Sequence, residues 1–386
     1  MLPNKLTTKL PGKGTTIFTV MTKMAQDHGA INLSQGFPDF DGPPALRERV
    51  AYHMDHGHNQ YAPLAGVPEL RQQIATKVLN IYGRETDPDC EICVTPGATE
   101  AIFAVITAVI HPGDEVIIFD PAYDCYEPDV ILNGGVSKHI TQRYPDFAID
   151  WQQVRDSITD RTRLIVLNTP QNPSGTVWDE QDIQQLRAVI EGRDIYILSD
   201  EVYEHINFDG HQHLSLLRYP DLAARTFAIS SFGKTYHATG WRVGYCIAPE
   251  PLMQEFLRVH QFINFSTNTP LQYAIADFLA SDSQHHHELS DFYQRKRDLF
   301  CDLMAATDFK VIPSAGTYFQ LADYSAISDE VDTEFTARMT REYKVGSIPM
   351  SVFYKKPPSQ NIVRFCFAKD EDTLRAAVEN LKKLRS

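Results

Sequence analysis

The segment 226–248 reads TFAISSFGKTYHATGWRVGYCIA and places a lysine between two short apolar runs, TFAIS and VGYCIA. Runs of this length with turn residues on both sides are typical of buried strands. Lys234 lies in the turn after the first run, with Ser231 three residues before it and Arg242 eight residues after it. Two interpretations stay open from this spacing. Either the three side chains bind one anion such as a phosphate, or the segment is a surface turn with a solvated lysine.

Outward from this segment, strand-like and helix-like stretches alternate along the chain. Short apolar runs lie at 91–95, 115–119, 164–168 and 195–199, and helix-like stretches lie at about 98–110, 123–133, 179–190 and 250–280. Such alternation predicts an α/β fold with a mostly parallel sheet. Ligands of such sheets bind at the carboxyl ends of the strands, so the site is expected there.

In the last hundred residues the predicted strands and helices no longer alternate regularly, which predicts a smaller α+β domain. A helix is expected near 288–305 and another at 370–384, with strand pieces near 310, 317–321, 345–348 and 362–367. We therefore divide the chain into three parts. These are an N-terminal segment (1–35) that packs with the small domain, a large domain (36–285) and a small C-terminal domain (286–386).

Composition and charge exclude several classes of function. The formal net charge of −14 disfavours a nucleic-acid partner, which needs a basic surface, and disfavours an anionic membrane surface. The longest apolar run, Ala101 to Ile110, is about half the length that a membrane span needs. The N-terminus lacks the apolar stretch of an export signal, and the six cysteines are scattered. We expect a cytoplasmic protein with reduced thiols and no metal site.

Two polar segments follow predicted strands. Asp200, in SDEVY, ends an apolar run, and a carboxylate there needs a cation or hydrogen-bond donors. It is either a ligand-binding group or a helix N-cap. The segment 168–175, NTPQNPSG, forms a rigid loop that suits an amide holding one oxygen of a ligand, although the pattern alone indicates only a loop.

Two further segments complete the set of candidates. TPGATE at 95–100 has small residues at a strand-to-helix turn, where backbone N–H groups can bind an anion or simply close a capped turn. Arg364 lies in the apolar run IVRFCF, and a buried guanidinium there needs a fixed anionic partner. That partner is either a carboxylate of the protein or the carboxylate of a substrate.

Together these segments resemble the class I aminotransferases, which are pyridoxal 5'-phosphate enzymes of fold type I. The resemblance covers essentially the whole chain. Four more stretches are similar to the branch that contains methionine aminotransferases and kynurenine aminotransferases (glutamine transaminase K): 32–40, NLSQGFPDF; 59–63, NQYAP; 124–128, DCYEP; and 348–354, IPMSVFY. The resemblance implies a homodimer with shared active sites, acting on amino acids and 2-oxo acids, with no nucleic-acid or membrane partner.

The resemblance also implies a role for each matched residue. Lys234 would form the Schiff base with the cofactor aldehyde and then move a proton, and Asp200 would pair with the pyridinium nitrogen. Arg364 would bind the substrate carboxylate, aided by the backbone of Gly36 and by Asn172. The remaining cofactor contacts would come from Asn172 and Tyr203 on the ring 3-oxygen, Tyr123 on the ring face, Gly97, Ala98, Thr99, Ser231 and Arg242 at the phosphate, and Tyr61 from the neighbouring subunit.

The expected substrate is an apolar or aromatic L-amino acid, with methionine favoured. Candidate pocket residues are Phe18, Phe37, Phe353 and, across the subunit boundary, Phe265, although plain core packing explains each of them as well. Ser266 stands where kynurenine-type members carry a histidine, which favours methionine. A cysteine-S-conjugate β-lyase or a kynurenine or glutamine transaminase of the same fold is the alternative function. A dehydrogenase is disfavoured because no Gly-rich fingerprint follows an early strand.

Overall fold

The computed structural model describes residues 7–281 and 284–384. Its fourteen helices in these ranges are α1 (Ile17–His28), α2 (Pro44–Asp55), α3 (Pro68–Tyr82), α4 (Ala98–Val109), α5 (Tyr126–Leu132), α6 (Trp151–Ser157), α7 (Glu180–Ile190), α8 (Pro220–Ala223), α9 (Phe232–Thr235), α10 (Glu250–Ile263), α11 (Thr269–Ser281), α12 (His285–Met304), α13 (Asp332–Glu342) and α14 (Glu371–Leu381).

The strands of the same ranges form three sheets. They are β1 (Ile31–Asn32), β2 (Ile92–Thr95), β3 (Glu115–Asp120), β4 (Val136–Thr141), β5 (Thr162–Asn168), β6 (Tyr196–Asp200), β7 (Thr226–Ser231), β8 (Gly244–Ile247), β9 (Lys310–Val311), β10 (Phe319–Asp323), β11 (Val345–Gly346), β12 (Ile348–Pro349) and β13 (Ile362–Cys366).

The large sheet has seven strands in the order β2-β8-β7-β6-β5-β3-β4. Strand β8 runs antiparallel to both of its neighbours, and the remaining pairs are parallel. The prediction of a mostly parallel α/β sheet is therefore confirmed. Its central strands β5, β6 and β7 are apolar in their middle because helices cover both faces. Ile165 and Ile197 pack into one core, whereas Leu164, Val166 and Leu198 pack into the core on the other face.

The small sheet has four antiparallel strands in the order β12-β13-β10-β9. Strand β13 runs through its centre, so Arg364 pairs with Leu321 on one side and with Ile348 on the other. The N-terminal segment joins this part of the molecule, because β1 pairs in parallel with β11 and α1 packs on α13. The division of the chain into domains stays a prediction.

Four of the fourteen described helices, α6, α8, α9 and α13, were not predicted, and the helical assignment needed two further corrections. The stretch 250–280 is not one helix, because the chain turns between α10 and α11, where Phe265 adopts a left-handed backbone with φ of 71°. The helices α2 and α3 were not predicted at all. Both begin with proline at the first turn, and both pack against elements far away in sequence.

No helix in the described ranges is both long enough and apolar enough to traverse a lipid bilayer.

Candidate active site

A cavity of about 240 Å³ opens at the carboxyl ends of the parallel strands of the large sheet. The strands β5, β6 and β7 end there with Asn168, Asp200 and Ser231, as expected for a doubly wound sheet. Nine of the twelve lining residues were predicted as site residues. The full lining is Ala98, Thr99, Ile102, Tyr123, Asn168, Asn172, Asp200, Val202, Tyr203, Ser231, Lys234 and Arg242.

The Lys234 amine projects from the short helix α9 into this cavity. Its Nζ donates to the hydroxyl of Tyr318 at 2.9 Å and lies 3.4 Å from the carbonyl oxygen of Gly36. Burial lowers the pKa of this amine from 10.5 to about 8. At this pKa about a tenth of the amine is neutral at pH 7, far more than for a free lysine, so its nitrogen can act as a nucleophile and as a base.

The Asp200 carboxylate lies in the cavity and forms no salt bridge with any of the described residues. The hydroxyl of Tyr126 donates to Oδ2 at 2.6 Å, and the N–H of Val202 donates to Oδ1 at 3.3 Å. Burial nevertheless raises the pKa of this carboxyl from 3.8 to about 6. The two hydrogen bonds do not compensate for the loss of the water that would solvate the carboxylate. The site therefore suits a ligand that carries a positively charged N–H group.

The opposite end of the cavity is built to hold an anion. The first N–H groups of α4, at Ala98 and Thr99, have no partners within the helix and face outward from its N-terminus. The Arg242 guanidinium packs so closely on Gly97 that a Cβ there would lie 2.5 Å from Nη2. Ser231 lines the same end. Backbone donors, a hydroxyl and a guanidinium together fit a phosphate group.

Arg364 lies on the small sheet and is connected to the cavity by a hydrogen bond to Asn172, which lines it. Its Nη1 donates to Oδ1 of Asn172 at 2.5 Å, and its Nη2 donates to the carbonyl of Ser34 at 3.0 Å. The side chain is fully buried, its Nε has no hydrogen-bond partner, and no carboxylate of the described residues pairs with it. Burial lowers its pKa to about 10. These facts remove the internal salt bridge as an explanation and fit a carboxylate supplied by a ligand.

Aromatic rings surround the Arg364 guanidinium. It lies 3.8 Å from the ring centroid of Phe319, 5.4 Å from that of Phe18 and 5.2 Å from that of Phe353. Two of the predicted pocket residues are therefore next to the predicted carboxylate site. Phe37 is not: its ring is 39% exposed and contacts the amine of Lys369.

Tyr61 and Phe265 lie on the surface instead of in the cavity of their own chain. They are 83% and 50% exposed, and their rings are in edge contact at 5.5 Å. Phe262, three positions before Phe265 in the chain, is 87% exposed. Large exposed rings in one place are typical of a surface that binds another protein.

Two tyrosines in contact with the site were not predicted from the sequence. Tyr126 belongs to the DCYEP stretch, so a signal for it existed, but its bond to Asp200 is a tertiary contact. Tyr318 comes from the turn before β10 and contacts Lys234. No local pattern distinguishes it from a tyrosine of the core.

The groups in the cavity suit one kind of bound molecule. An amine with a lowered pKa suits a carbonyl group, a buried carboxylate suits a protonated ring nitrogen, and the end of α4 suits a phosphate. Pyridoxal 5'-phosphate carries all three groups, so the residues present fit it.

Known proteins resemble this chain over nearly its whole length. The family model for aminotransferase class I and II matches residues 28–381. The sequence is 52% identical over 376 residues to the methionine aminotransferase of Escherichia coli (strain K12), covering 97% of each chain. It is 33% identical to kynurenine–oxoglutarate transaminase 1 of Homo sapiens, covering 94% of each. A solved Escherichia coli structure with a methionine aminotransferase function superposes with a TM-score of 0.96 at 50% identity, covering 99% of this chain and 100% of that one.

Proposed function

The chain belongs to the class I and II aminotransferases, and we propose that it transfers the amino group of an apolar or aromatic L-amino acid, methionine first, to a 2-oxo acid. The observation that carries the proposal is one cavity that unites a lysine amine, a buried carboxylate and an anion-binding helix end. The 52% identity to a methionine aminotransferase supports methionine as the donor.

We propose pyridoxal 5'-phosphate as the cofactor. When bound, it supplies an electron-withdrawing ring that stabilises negative charge at the substrate Cα. Asp200 would hold the ring nitrogen in its protonated form, and Asn172 and Tyr203 would bind the 3-oxygen while Tyr123 lies on the ring face. The amides of Ala98 and Thr99 after Gly97, with Ser231 and Arg242, would hold the phosphate.

The substrate carboxylate would bind to Arg364, whose Nε is buried without a partner. Asn172 already orients this guanidinium, and a carboxylate accepts two parallel N–H groups from it. The bound amino acid then has its Cα near Lys234. The amine of Lys234, with its pKa lowered to about 8, is the group that takes the Cα proton and passes it on.

The preference for an apolar side chain has support from the rings of Phe18 and Phe353 beside Arg364. We propose that they form part of the side-chain pocket. Phe37, the other candidate of the same chain, contacts Lys369 and does not line the described cavity, so we do not assign it to this pocket.

We propose a homodimer with shared active sites. The exposed rings of Tyr61, Phe262 and Phe265 support an interface at this surface, from which Tyr61 and Phe265 would reach the neighbouring site. The six free cysteines support a reducing compartment such as the cytoplasm.

The proposal is tested by trapping the cofactor on the protein. Reduction of the purified enzyme with borohydride, followed by digestion and peptide mass spectrometry, should show pyridoxyl phosphate on the peptide that contains Lys234. Lys234→Ala should abolish turnover with every amino donor. A tag on another lysine, or normal transamination by Lys234→Ala, would contradict the proposal.

The kynurenine transaminase relatives favour one alternative, in which an aromatic donor reacts faster than methionine. A panel of amino acids scored by the first half-reaction separates the two. Release of pyruvate and ammonia from a cysteine S-conjugate measures the β-lyase reaction, which starts from the same loss of the Cα proton.

A further inference from the structure

Tyr318 carries a phenol that touches the reacting amine, and the proposed function gives it no role. The residue is fully buried in the turn before β10. Its hydroxyl donates to the carbonyl of Gly36 at 2.6 Å and accepts from Nζ of Lys234 at 2.9 Å. The amine thus lies between two oxygens, and one of them belongs to a side chain.

The direction of these bonds follows from the number of protons available. A phenol has one O–H group. Tyr318 donates it in a hydrogen bond to the Gly36 carbonyl, which can only accept. The Tyr318 oxygen therefore faces Lys234 with its lone pairs and accepts an N–H from the amine. A neutral amine that donates one N–H in this way keeps its own lone pair free.

The backbone around Tyr318 is arranged to hold the ring in place. Thr317 adopts a left-handed conformation with φ of 65°, which is unfavourable for a β-branched residue. Its N–H donates to the carbonyl of Ile206, and its hydroxyl accepts from the N–H of Phe319. Strain of this kind persists where the surroundings fix it, and it is concentrated at functional sites.

We propose that Tyr318 is a positioning residue for transamination, which accepts an N–H from the free Lys234 amine and keeps its lone pair directed at the substrate carbon. The inference rests on the proposed function, because it takes Lys234 as the proton carrier. The nitrogen takes one proton from the substrate Cα and later gives it to a second carbon. The Tyr318 proton stays on the phenol oxygen throughout, in the hydrogen bond to the Gly36 carbonyl, so Tyr318 remains neutral while the Lys234 amine gains and loses a proton.

A purely structural role for Tyr318 is the competing explanation, since its ring packs against those of Tyr203 at 5.2 Å and Tyr293 at 5.6 Å. Tyr293 offers a matched control. It is also fully buried, but its hydroxyl has no hydrogen-bond partner among the described residues. Removing that hydroxyl changes the packing as Tyr318→Phe does, without removing a bond to Lys234.

The first test measures the pKa of Lys234 in the full-length chain freed of cofactor. Trace labelling of lysine amines with acetic anhydride between about pH 6 and pH 10, read by peptide mass spectrometry, gives the midpoint for Lys234. The other ionisable groups that face this amine stay in place in both variants: Asp200, Tyr203, Arg242, Arg364 and Cys366.

The Tyr318 oxygen stabilises the ammonium more than the neutral amine, so its loss should lower the midpoint of Lys234. We expect Tyr318→Phe to lower it by roughly one unit, the size of effect of one hydrogen bond to a charged group. Tyr293→Phe should leave the midpoint unchanged. Equal midpoints for wild type and Tyr318→Phe, or equal shifts in both variants, would overturn the proposal.

The second test uses the holoenzyme. Tyr318→Phe should lower kcat about tenfold and leave KM for the amino donor within about twofold, since the proton transfer is affected and the carboxylate site is not. Tyr293→Phe should change neither constant. An unchanged kcat in Tyr318→Phe overturns the proposal.

Folding and the proposed function are controlled separately. If Tyr318→Phe does not fold, 3-fluorotyrosine at position 318 keeps the ring and weakens the acceptor, and the Lys234 midpoint should again fall. Borohydride trapping on Lys234 in the wild type tests the proposed function alone. Failure of trapping rejects the transaminase assignment, whereas an unshifted midpoint with successful trapping rejects only the role of Tyr318.

Discussion

Nη1 of Arg364 donates to Oδ1 of Asn172 at 2.5 Å, and this bond joins the small sheet to the loop that follows β5 of the large sheet. The two residues are 192 positions apart in the chain. The bond fixes the guanidinium at the edge of the cavity and leaves Nε without a partner. The proposed binding of a substrate carboxylate at Arg364 would therefore depend on how the small sheet and this loop meet.

Arg364→Lys should raise KM for the amino donor about 30-fold or more, with kcat changed much less. Lysine keeps the charge but loses the planar pair of N–H donors, which removes about 2 kcal/mol of binding common to ground state and transition state. Steady-state kinetics with methionine measure this. Arg338→Lys is the control, because Arg338 also binds a carboxylate through two nitrogens, on Glu330 away from the site. A KM within twofold of wild type for Arg364→Lys would show that the carboxylate binds elsewhere.

Asp200→Asn should stabilise the cofactor-free chain near pH 8 and weaken cofactor binding. Because burial raises the pKa of this carboxyl from 3.8 to about 6, folding takes up a proton between these values. The stability of the cofactor-free wild type therefore falls as pH rises from about 4 to about 6, and the loss persists above that, on the order of 3 kcal/mol. Melting curves across pH, with and without pyridoxal 5'-phosphate, check both effects.

Asp129 is the matched control for this experiment. Burial raises the pKa of its carboxyl to about 7, and it does not line the cavity. Asp129→Asn should therefore stabilise the chain both with and without the cofactor and leave cofactor affinity unchanged. The interpretation of Asp200 would be wrong if the two variants lost the same cofactor affinity.

Phe262→Glu should convert the proposed homodimer into a monomer and remove activity. Phe262 is 87% exposed at the end of α10, three positions before the exposed Phe265, so a charge there would be buried in the proposed interface. Sedimentation velocity gives the oligomeric state. Ile312→Glu alters a 52% exposed apolar residue before β10 and should stay dimeric. If the Phe262→Glu enzyme stays dimeric and active, this surface is not the dimer interface.

Glu127→Gln should loosen the N-terminal segment. The Glu127 carboxylate binds Lys13 and Lys355 at 2.6 Å each, which links the segment before α1 to the region before β13. Burial opposes its ionisation, but the two ammonium groups outweigh it and lower its pKa to about 2. The stabilisation is thus complete above pH 4.5 and is lost only as pH falls through about 2.

Hydrogen exchange of residues 7–28 measures this effect, with faster exchange expected in Glu127→Gln and, more weakly, in wild type at high salt. Asp27→Asn removes an exposed pair with Lys23 on the same segment and should have no effect. Unchanged exchange in Glu127→Gln would mean that the packing of α1 alone holds the segment.

Much of the site could be predicted because its residues follow strands that are recognisable locally. Asp200 and Ser231 end apolar runs, and Lys234 lies in the turn after one of them. The carboxyl ends of parallel strands meet at one edge of the sheet, so these residues had to come together. The helices α2 and α3 escaped prediction because their apolar faces are matched to distant elements and not to a strong local pattern.

The sequence by itself determined the α/β order of elements, the family and the residues that end the strands, since periodicity and motif spacing are properties of neighbouring positions. Only the tertiary structure decided the pKa of Lys234, the partners of Arg364 and the contact of Tyr318 with the amine. Gly36, Lys234 and Tyr318 are separated by 198 and 84 positions in the chain. Burial and hydrogen bonding between such distant groups arise from packing, and no local pattern encodes them.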